Sequence, residues 1–347
     1  FFEGWKVRSP VSGVWSPYGR KTEEAEDMDA ELQDAEVQDG RSPTELSNII
    51  TNMKNIAFII NPTAGTGGTK TKNRLNKLLR DLLDNEQFSP IVVTTEYAGH
   101  ATQLAQQFAM QEYYAVVAVG GDGTVNEVAS GLIGTNTALG IIPNGSGNGF
   151  ARHLDISTRM NRAIEMLNSS EPIYVDYGTV NDQPFFSTCG VGFDAVVAQD
   201  FSNSERGIKG YIQSIIKDIF QYKPETYQLQ GENVDLTTTA FLINFANASQ
   251  WGYDAYIAPK ASVQDGWLDV VIASDFPLVA APGLALCLFT KIIDETLHLN
   301  TLRTKEITLT RPSEGVAHID GTPVIMPAQL HVKIVEEGLK VLVKKRF

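Results

Sequence analysis

Cysteine is nearly absent from this chain. Cys189 and Cys287 stand alone and far apart, which excludes a disulfide framework and any paired zinc spacing and suits a reducing compartment. Positive charge is scarce as well, with 28 Lys and Arg against 41 Asp and Glu and a net charge of -13. A nucleic-acid binder is excluded on that balance, because phosphate-backbone recognition needs clustered basic residues. No GKS or GKT follows a GxxxxG, and no GxGxxG occurs, so neither a Walker loop nor a Rossmann fingerprint is present. Long apolar runs are missing too. The longest window, Phe276 to Ile293, is broken by Pro277, Pro282 and Lys291 and falls short of the roughly 20 apolar residues of a membrane span. It reads as a core or interface helix, with a membrane-docking surface as the alternative. The opening FFEGWKVRSPVSG lacks the basic-then-apolar order of a secretory signal. The expectation is a soluble, cytoplasmic protein that touches membranes from one side at most.

With 347 residues, 43% of them hydrophobic, the chain can bury two medium cores, so two domains are expected. Residues 1–52 stand apart: eleven acidic side chains against five basic ones, and almost nothing large and apolar from Thr22 to Asp39. Such a segment cannot offset the entropy of ordering, which predicts a disordered or weakly helical extension. From Met53 the pattern alternates. Apolar runs at Ile56–Ile60, Pro90–Thr95, Tyr114–Val119 and Leu139–Ile142 predict strands, and amphipathic stretches at Lys70–Leu83, Ala101–Met110 and Val125–Gly131 predict helices. That rhythm implies a parallel sheet covered by helices, with its ligand crevice at the carboxyl ends of the strands. From about Tyr174, short alternating runs separated by turn residues predict a mostly antiparallel β-sandwich. Helices are expected there only near Ile208–Phe220 and Leu278–Ile293. The fold class is therefore α/β: an N-terminal parallel-sheet nucleotide-binding domain over 53–173, then a β-sandwich domain over 174–347.

Three glycine-rich loops follow three of the strands: NPTAGTGG at 61–68, GGDGT at 120–124 and PNGSGNGFA at 143–151. Glycine lets the backbone approach a ligand and turn its amides toward an anion. One such loop is commonly a plain turn, but three in register at strand ends describe a polyphosphate cradle. Asp122 lies inside it. A carboxylate there repels phosphate unless it meets Mg²⁺, directly or through water, or accepts a proton from an attacking hydroxyl. The plainer alternative is an aspartate capping the following helix.

GGDGTVNEVASGL, preceded by INPTAG and TTEYAGHA and followed by IIPNGSGNGFARHL, resembles the diacylglycerol kinase catalytic-domain family, which includes bacterial lipid kinases and sphingosine kinases. The similarity runs on through CGVGFDA, DGWLDVVI and HIDGTPV and covers nearly all of 53–347. It implies an ATP-dependent kinase of a lipid hydroxyl, with its active site in the cleft between the two domains and its substrate met at a membrane surface. A homodimer stays open. Carried over by position, Asn61, Thr63, Thr95, Gly120, Gly121, Asp122, Gly123, Thr124 and Ser146 are expected to contact the nucleotide. The resemblance also implies a Mg²⁺ site at the DGxL turn, from Asp265 with the carbonyls of Ser262 and Trp267. An ordinary Asp-Gly hairpin turn is the alternative.

One departure bears on mechanism. The family's late motif has a glutamate after Asp-Gly, linked to the general base, whereas this chain has Thr322 after Asp320 and Gly321. Either Asp122 or Asp320 then takes the catalytic role, or activity is reduced, which leaves a nucleotide- or lipid-binding protein of weak activity as one alternative and an NAD-kinase-like enzyme as another. By the same resemblance Asp194 and the segment ERGIKGYIQSIIKDIF are expected near the substrate cleft. His318 reads as a structural histidine.

Overall fold

The structure is a computed structural model that describes residues 53–62, 69–202 and 218–345. Four apolar runs form the parallel strands β1 (Lys54–Ile60), β2 (Phe88–Thr94), β3 (Ala115–Gly120) and β4 (Ala138–Pro143). β3 and β4 are buried at every position, as befits strands covered on both faces. Their order is β2-β1-β3-β4, with Phe58 beside Val92 on one side and Val117 on the other. Helices α1 (Thr69–Leu82), α2 (His100–Met110) and α3 (Asp122–Leu132) connect them. All seven elements fall where the apolar periodicity puts them, although α3 begins three residues before the expected Val125. α2 and α3 pack so closely that a Cβ at Gly131 would lie 2.6 Å from the carbonyl oxygen of Thr102. Two further helices follow β4: α4 (Gly149–His153) and α5 (Met160–Leu167). The periodicity reading had neither.

The remaining strands are β5 (Ser170–Val180), β6 (Gln183–Phe185), β7 (Thr188–Gly192), β8 (Glu225–Gly231), β9 (Val234–Ala246), β10 (Gln250–Gly252) and β11 (Ala255–Tyr256). They continue through β12 (Leu268–Ser274), β13 (Leu299–Thr304), β14 (Glu306–Thr310), β15 (Gly315–Ile319), β16 (Thr322–Met326) and β17 (Gln329–Lys344). Pairing among β5 to β9 and β12 to β17 is antiparallel. Phe185, Tyr227, Phe245, Ile307 and Leu330 fill the core of this sandwich half.

The two halves share backbone. β17 pairs antiparallel with β14 near Val332 and meets β4 in parallel at Val341 and Leu139. β5 accompanies it across a bulge between Val335 and Leu339, where Glu337 takes a φ of 50°. The expected boundary between 173 and 174 falls inside β5. A helix the sequence pattern did not predict, α6 (Phe193–Ser202), starts directly after β7, with the Ala195 amide donating to Asp194 Oδ1 at 2.8 Å. α7 (Ala281–Thr290) falls within the expected 278–293 segment and buries none of its residues fully. Among the described residues no helix is long and apolar enough to cross a membrane. The extension 1–52 and most of the expected 208–220 helix lie outside the described residues.

Candidate active site

The chain passes from β3 into α3 within the GGDG sequence, and the turn leaves no room for side chains. A Cβ at Gly120 would fall 2.4 Å from Thr124 Oγ1. The loop after β4 then folds back on this turn. The Asn144 amide donates to the Gly120 carbonyl at 2.7 Å, and a Cβ at Gly145 would lie 2.4 Å from Gly121 Cα. Two glycine loops thus interlock at backbone distance, which any larger residue at either position would prevent.

Asp122 sits at the first position of α3, behind Gly121, which has no side chain to cap the helix. Its carboxylate caps the next helix instead of its own. Oδ2 accepts the Asn148 amide and Oδ1 the Gly149 amide, each at 2.8 Å, so one side chain closes both the start of α4 and the glycine loop at 143–151. The first amides of α3 have no intrahelical partner and stand beside the exposed Gly123 and Ser146. Asn61 Nδ2 donates to Thr124 Oγ1 at 3.1 Å, and the Thr95 amide donates to the Ile60 carbonyl at 2.9 Å. Asn61, Thr95, Gly120 to Thr124 and Ser146 therefore gather at the carboxyl ends of β1 to β4. Thr63 lies outside the described residues. The donor set is one that fits a chain of phosphates: small residues, backbone amides at a helix start and hydroxyls.

From the sandwich half comes the hairpin between β15 and β16. Its turn is Asp320 and Gly321, both in the left-handed region with φ of 47° and 77°, as a two-residue Asp-Gly turn requires. The Asp320 carboxylate accepts the amides of Phe186 (3.0 Å), Ser187 (2.7 Å) and Thr188 (3.1 Å) and, at 2.8 Å, Asn126 Nδ2. Four donors surround one carboxylate. Asn126 also reaches the Pro184 carbonyl at 3.2 Å, so it ties α3 to the sandwich half. Nothing in the motif reading singled it out, although it lies one helical turn after Asp122 and shares its face. Thr322 is exposed, and a Cβ at Gly123 would come 3.9 Å from its Oγ1. The late hairpin thus lies against the start of α3.

Burial pushes the Asp122 carboxyl up to about 6; the Asn148 and Gly149 amides work against that, and the negative charge of Asp320 adds to it. Burial likewise raises Asp320, opposed by its four donors. Two carboxylates in one site, one near neutrality and one saturated with donors, can divide proton acceptance from scaffolding. Asp194 and His318 lie behind this layer, both buried, with Nε2 of the histidine 3.0 Å from Oδ2 and Asn244 Nδ2 at 3.1 Å from the same oxygen. The three side chains form one buried cluster.

The DGxL turn looks different from the site the resemblance implies. Asp265 Oδ2 is bound by Arg303 Nη2, and Oδ1 accepts the Trp267 amide at 3.2 Å. Arg303 Nε is also 3.5 Å from buried Asp269. The Ser262 hydroxyl accepts the Gln264 amide at 3.3 Å, and the Asp176 carboxylate accepts the amides of Gly266 and Glu337, each at 2.8 Å. Among the described residues no three His, Cys, Asp or Glu side chains converge as metal ligands. In this arrangement Asp265 is thus paired with a guanidinium.

Residues 55–180 match the family model described as the diacylglycerol kinase catalytic domain, and residues 187–343 match the YegS C-terminal NAD kinase beta sandwich-like domain. Among relatives, the "Probable lipid kinase YegS-like" of Klebsiella pneumoniae is 26% identical over 270 residues, 73% of this chain and 89% of that protein. The "Probable lipid kinase YegS" of Salmonella arizonae is 25% identical over 282 residues, covering 78% and 92%. A crystal structure described as a diacylglycerol kinase from Bacillus anthracis superposes with a TM-score of 0.63 at 20% identity, over 84% of this chain and 97% of that one. That superposition bears on the fold alone.

Proposed function

We propose, from the premise that this chain belongs to the diacylglycerol kinase catalytic-domain family, that it transfers the γ-phosphoryl group of ATP to the hydroxyl of a lipid. The observation that carries this reading is Asp122, held between two interlocked glycine loops and facing a hairpin from the sandwich half. In the reaction a bond forms between the lipid oxygen and the γ-phosphorus, the bond to the β-phosphate oxygen breaks, and the hydroxyl proton leaves. The chain's part is positioning and charge. Glycine amides at the start of α3, with Asn61, Thr63, Thr95, Thr124 and Ser146, hold the phosphates, and Asp122 accepts the proton. Asp320 serves as a positioning residue that fixes the 186–188 turn and Asn126. Mg²⁺ enters the reading as a companion of the nucleotide's phosphates, neutralising their charge. Ser262, Asp265 and Trp267 would hold an ion only if Arg303 released Asp265. We assign the nucleotide to residues 53–173 and the lipid to 174–347. A cytoplasmic setting, with contact to a membrane from one side, is part of the same proposal; the two free cysteines support it.

Incubation with labelled ATP and a panel of diacylglycerol, a sphingoid base, ceramide and phosphatidylglycerol should label at least one lipid. Intact ATP binding with no labelled lipid would favour a binding protein, the reading that Thr322 motivates.

The Asp122 carboxyl also predicts a pH profile. If Asp122 acts as its carboxylate, the rate at saturating substrate rises with pH through about 6 and then levels. Stability runs the other way. A carboxyl whose folded pKa lies above its unfolded value of about 3.9 binds protons more tightly when folded. Its contribution is full below about 4 and is lost as pH rises through about 6. Rate and melting temperature measured across this window should therefore move in opposite directions; a rate flat from pH 5 to 8 would remove Asp122 as the proton acceptor.

A further inference from the structure

Beside the glycine loop at 143–151 the surface opens into a cavity of about 390 Å³ whose lining includes Arg152, Arg159, Arg162, Asp155, Asp254 and Tyr256. Three arginines within eleven residues are unusual in a chain of net charge -13. Arg152 is accounted for: it donates to the Gly147 carbonyl at 3.1 Å and to Asp254 at 2.7 Å. Arg159 and Arg162 are exposed, and among the described residues no carboxylate pairs with either. Their placement is electrostatically unfavourable. Arg159 immediately precedes α5, Arg162 lies in its first turn, and that turn has no acidic residue, so both cations sit at the positive end of the helix. An anion delivered from outside would relieve this.

A second surface adjoins the first. Tyr256, on the cavity wall, carries Lys291 Nζ 4.3 Å above its ring, and Lys291 is the residue that ends α7. α7 packs against β11, the strand that holds Tyr256. Around this helix Leu278, Val279, Leu286, Phe289, Ile292 and Leu297 are exposed, Val279 at 88% and Leu297 at 98%. Six large apolar side chains on one short segment exceed the scatter expected of a free surface. Asp275 and Glu295 are exposed at its two ends and Asp294 pairs with Lys260, so the cations on this side are Lys291 and, across Tyr256, the arginines of the cavity; an apolar segment beside such a basic group is the pattern of a helix that lies in a bilayer interface.

We propose that α7 seats in the surface of a bilayer containing anionic phospholipid, and that the cavity bounded by Arg152, Arg159 and Arg162 takes a headgroup phosphate. The inference rests on the lipid-kinase reading for its biological sense, but its chemistry is separate from phosphoryl transfer. Charge complementarity argues for this occupant: a strongly acidic chain is repelled by an anionic membrane everywhere except where it presents cations. Arg152 links the two sites, since the guanidinium at the cavity also holds the carbonyl of Gly147, the residue before the amide that Asp122 grips.

The test is cosedimentation with vesicles of phosphatidylcholine alone and of phosphatidylcholine with phosphatidylglycerol, using wild type, Arg159→Gln/Arg162→Gln and Leu286→Ser/Phe289→Ser. Wild type should partition to the anionic vesicles and be released by salt. The arginine variant should lose about tenfold to thirtyfold in partition, and the α7 variant should bind both vesicle types more weakly. Inorganic phosphate should compete. Equal partition of wild type and the arginine variant overturns the proposal, as does stabilisation by inorganic phosphate with no vesicle binding, which would make the cavity a site for a free anion. Phosphoryl transfer to detergent-dispersed lipid separates the two readings. The arginine variant should match wild type there. Activity in detergent without vesicle binding sinks this inference and spares the kinase, whereas vesicle binding without activity does the reverse.

Discussion

Replacing Asp122 by asparagine is expected to lower turnover by about 10³-fold in a protein that stays folded, because the amide cannot accept the hydroxyl proton. The variant also probes the loop. Asparagine offers one oxygen to two converging amides, so either Asn148 or Gly149 faces an NH₂ group, an unpaired donor worth about 1 to 3 kcal/mol. Relief of a buried negative charge beside Asp320 acts in the opposite sense. Melting temperature should therefore fall by only a few degrees, a small change next to the loss of rate. The residual activity provides the decisive readout. With Asp122 removed, the acid limb near pH 6 should vanish; a surviving limb would assign it to another group.

The second large effect is one of stability. Asp320→Ala strips the acceptor from three consecutive backbone amides and from Asn126. At about 1 to 3 kcal/mol for each buried donor left unpaired, partly relieved by water, the loss is on the order of 4 kcal/mol. For a body of this size that corresponds to a drop on the order of 10 °C. Thermal melts of both aspartate variants would separate scaffold from chemistry: Asp122→Asn loses rate, Asp320→Ala loses fold. A melt within two or three degrees of wild type for Asp320→Ala would deny it the positioning role. A subtler readout follows from the charge. Asp320 raises the Asp122 carboxyl, so Asp320→Ala, assayed well below its melting point, should carry its acid limb to lower pH.

Much of this site was legible from sequence because its first layer is written in residue types. Apolar period and glycine clusters locate β1 to β4 and the loops that follow them, and parallel pairing then brings those loops together without further information. Partners made of backbone were not legible. The amides of Asn148 and Gly149 that grip Asp122 are common to every residue, so no letter marks them. Asn126 had a signal, its four-residue spacing from Asp122 on a helix, but only once the helix was known to start at Asp122. The pairing of Arg303 with Asp265 joins a strand and a turn distant in sequence, and no spacing marks it. α6 was missed for a different reason. Its sequence FDAVVAQDFS follows a strand motif directly, so apolar content ran on unbroken while the period changed. The alternating pattern is legible only from about Tyr174, whereas pairing with β17 carries β5 back through Pro172 and Glu171 to Ser170.

β17 has a consequence for how the molecule comes into being. Strand β4 is the inner edge of the nucleotide half, and it is completed by Val341 of β17, some two hundred residues further along the chain. Synthesis runs from the amino end, and early domains of many proteins mature while the rest is still being made. Here β4 waits with an open flank until β5 to β17 have all been made. A ribosome stalled before β17 would hold a sheet with one bare edge, the kind of surface that holding chaperones cover. Completion of the nucleotide sheet is thus tied to the making of the sandwich, because β17 belongs to both.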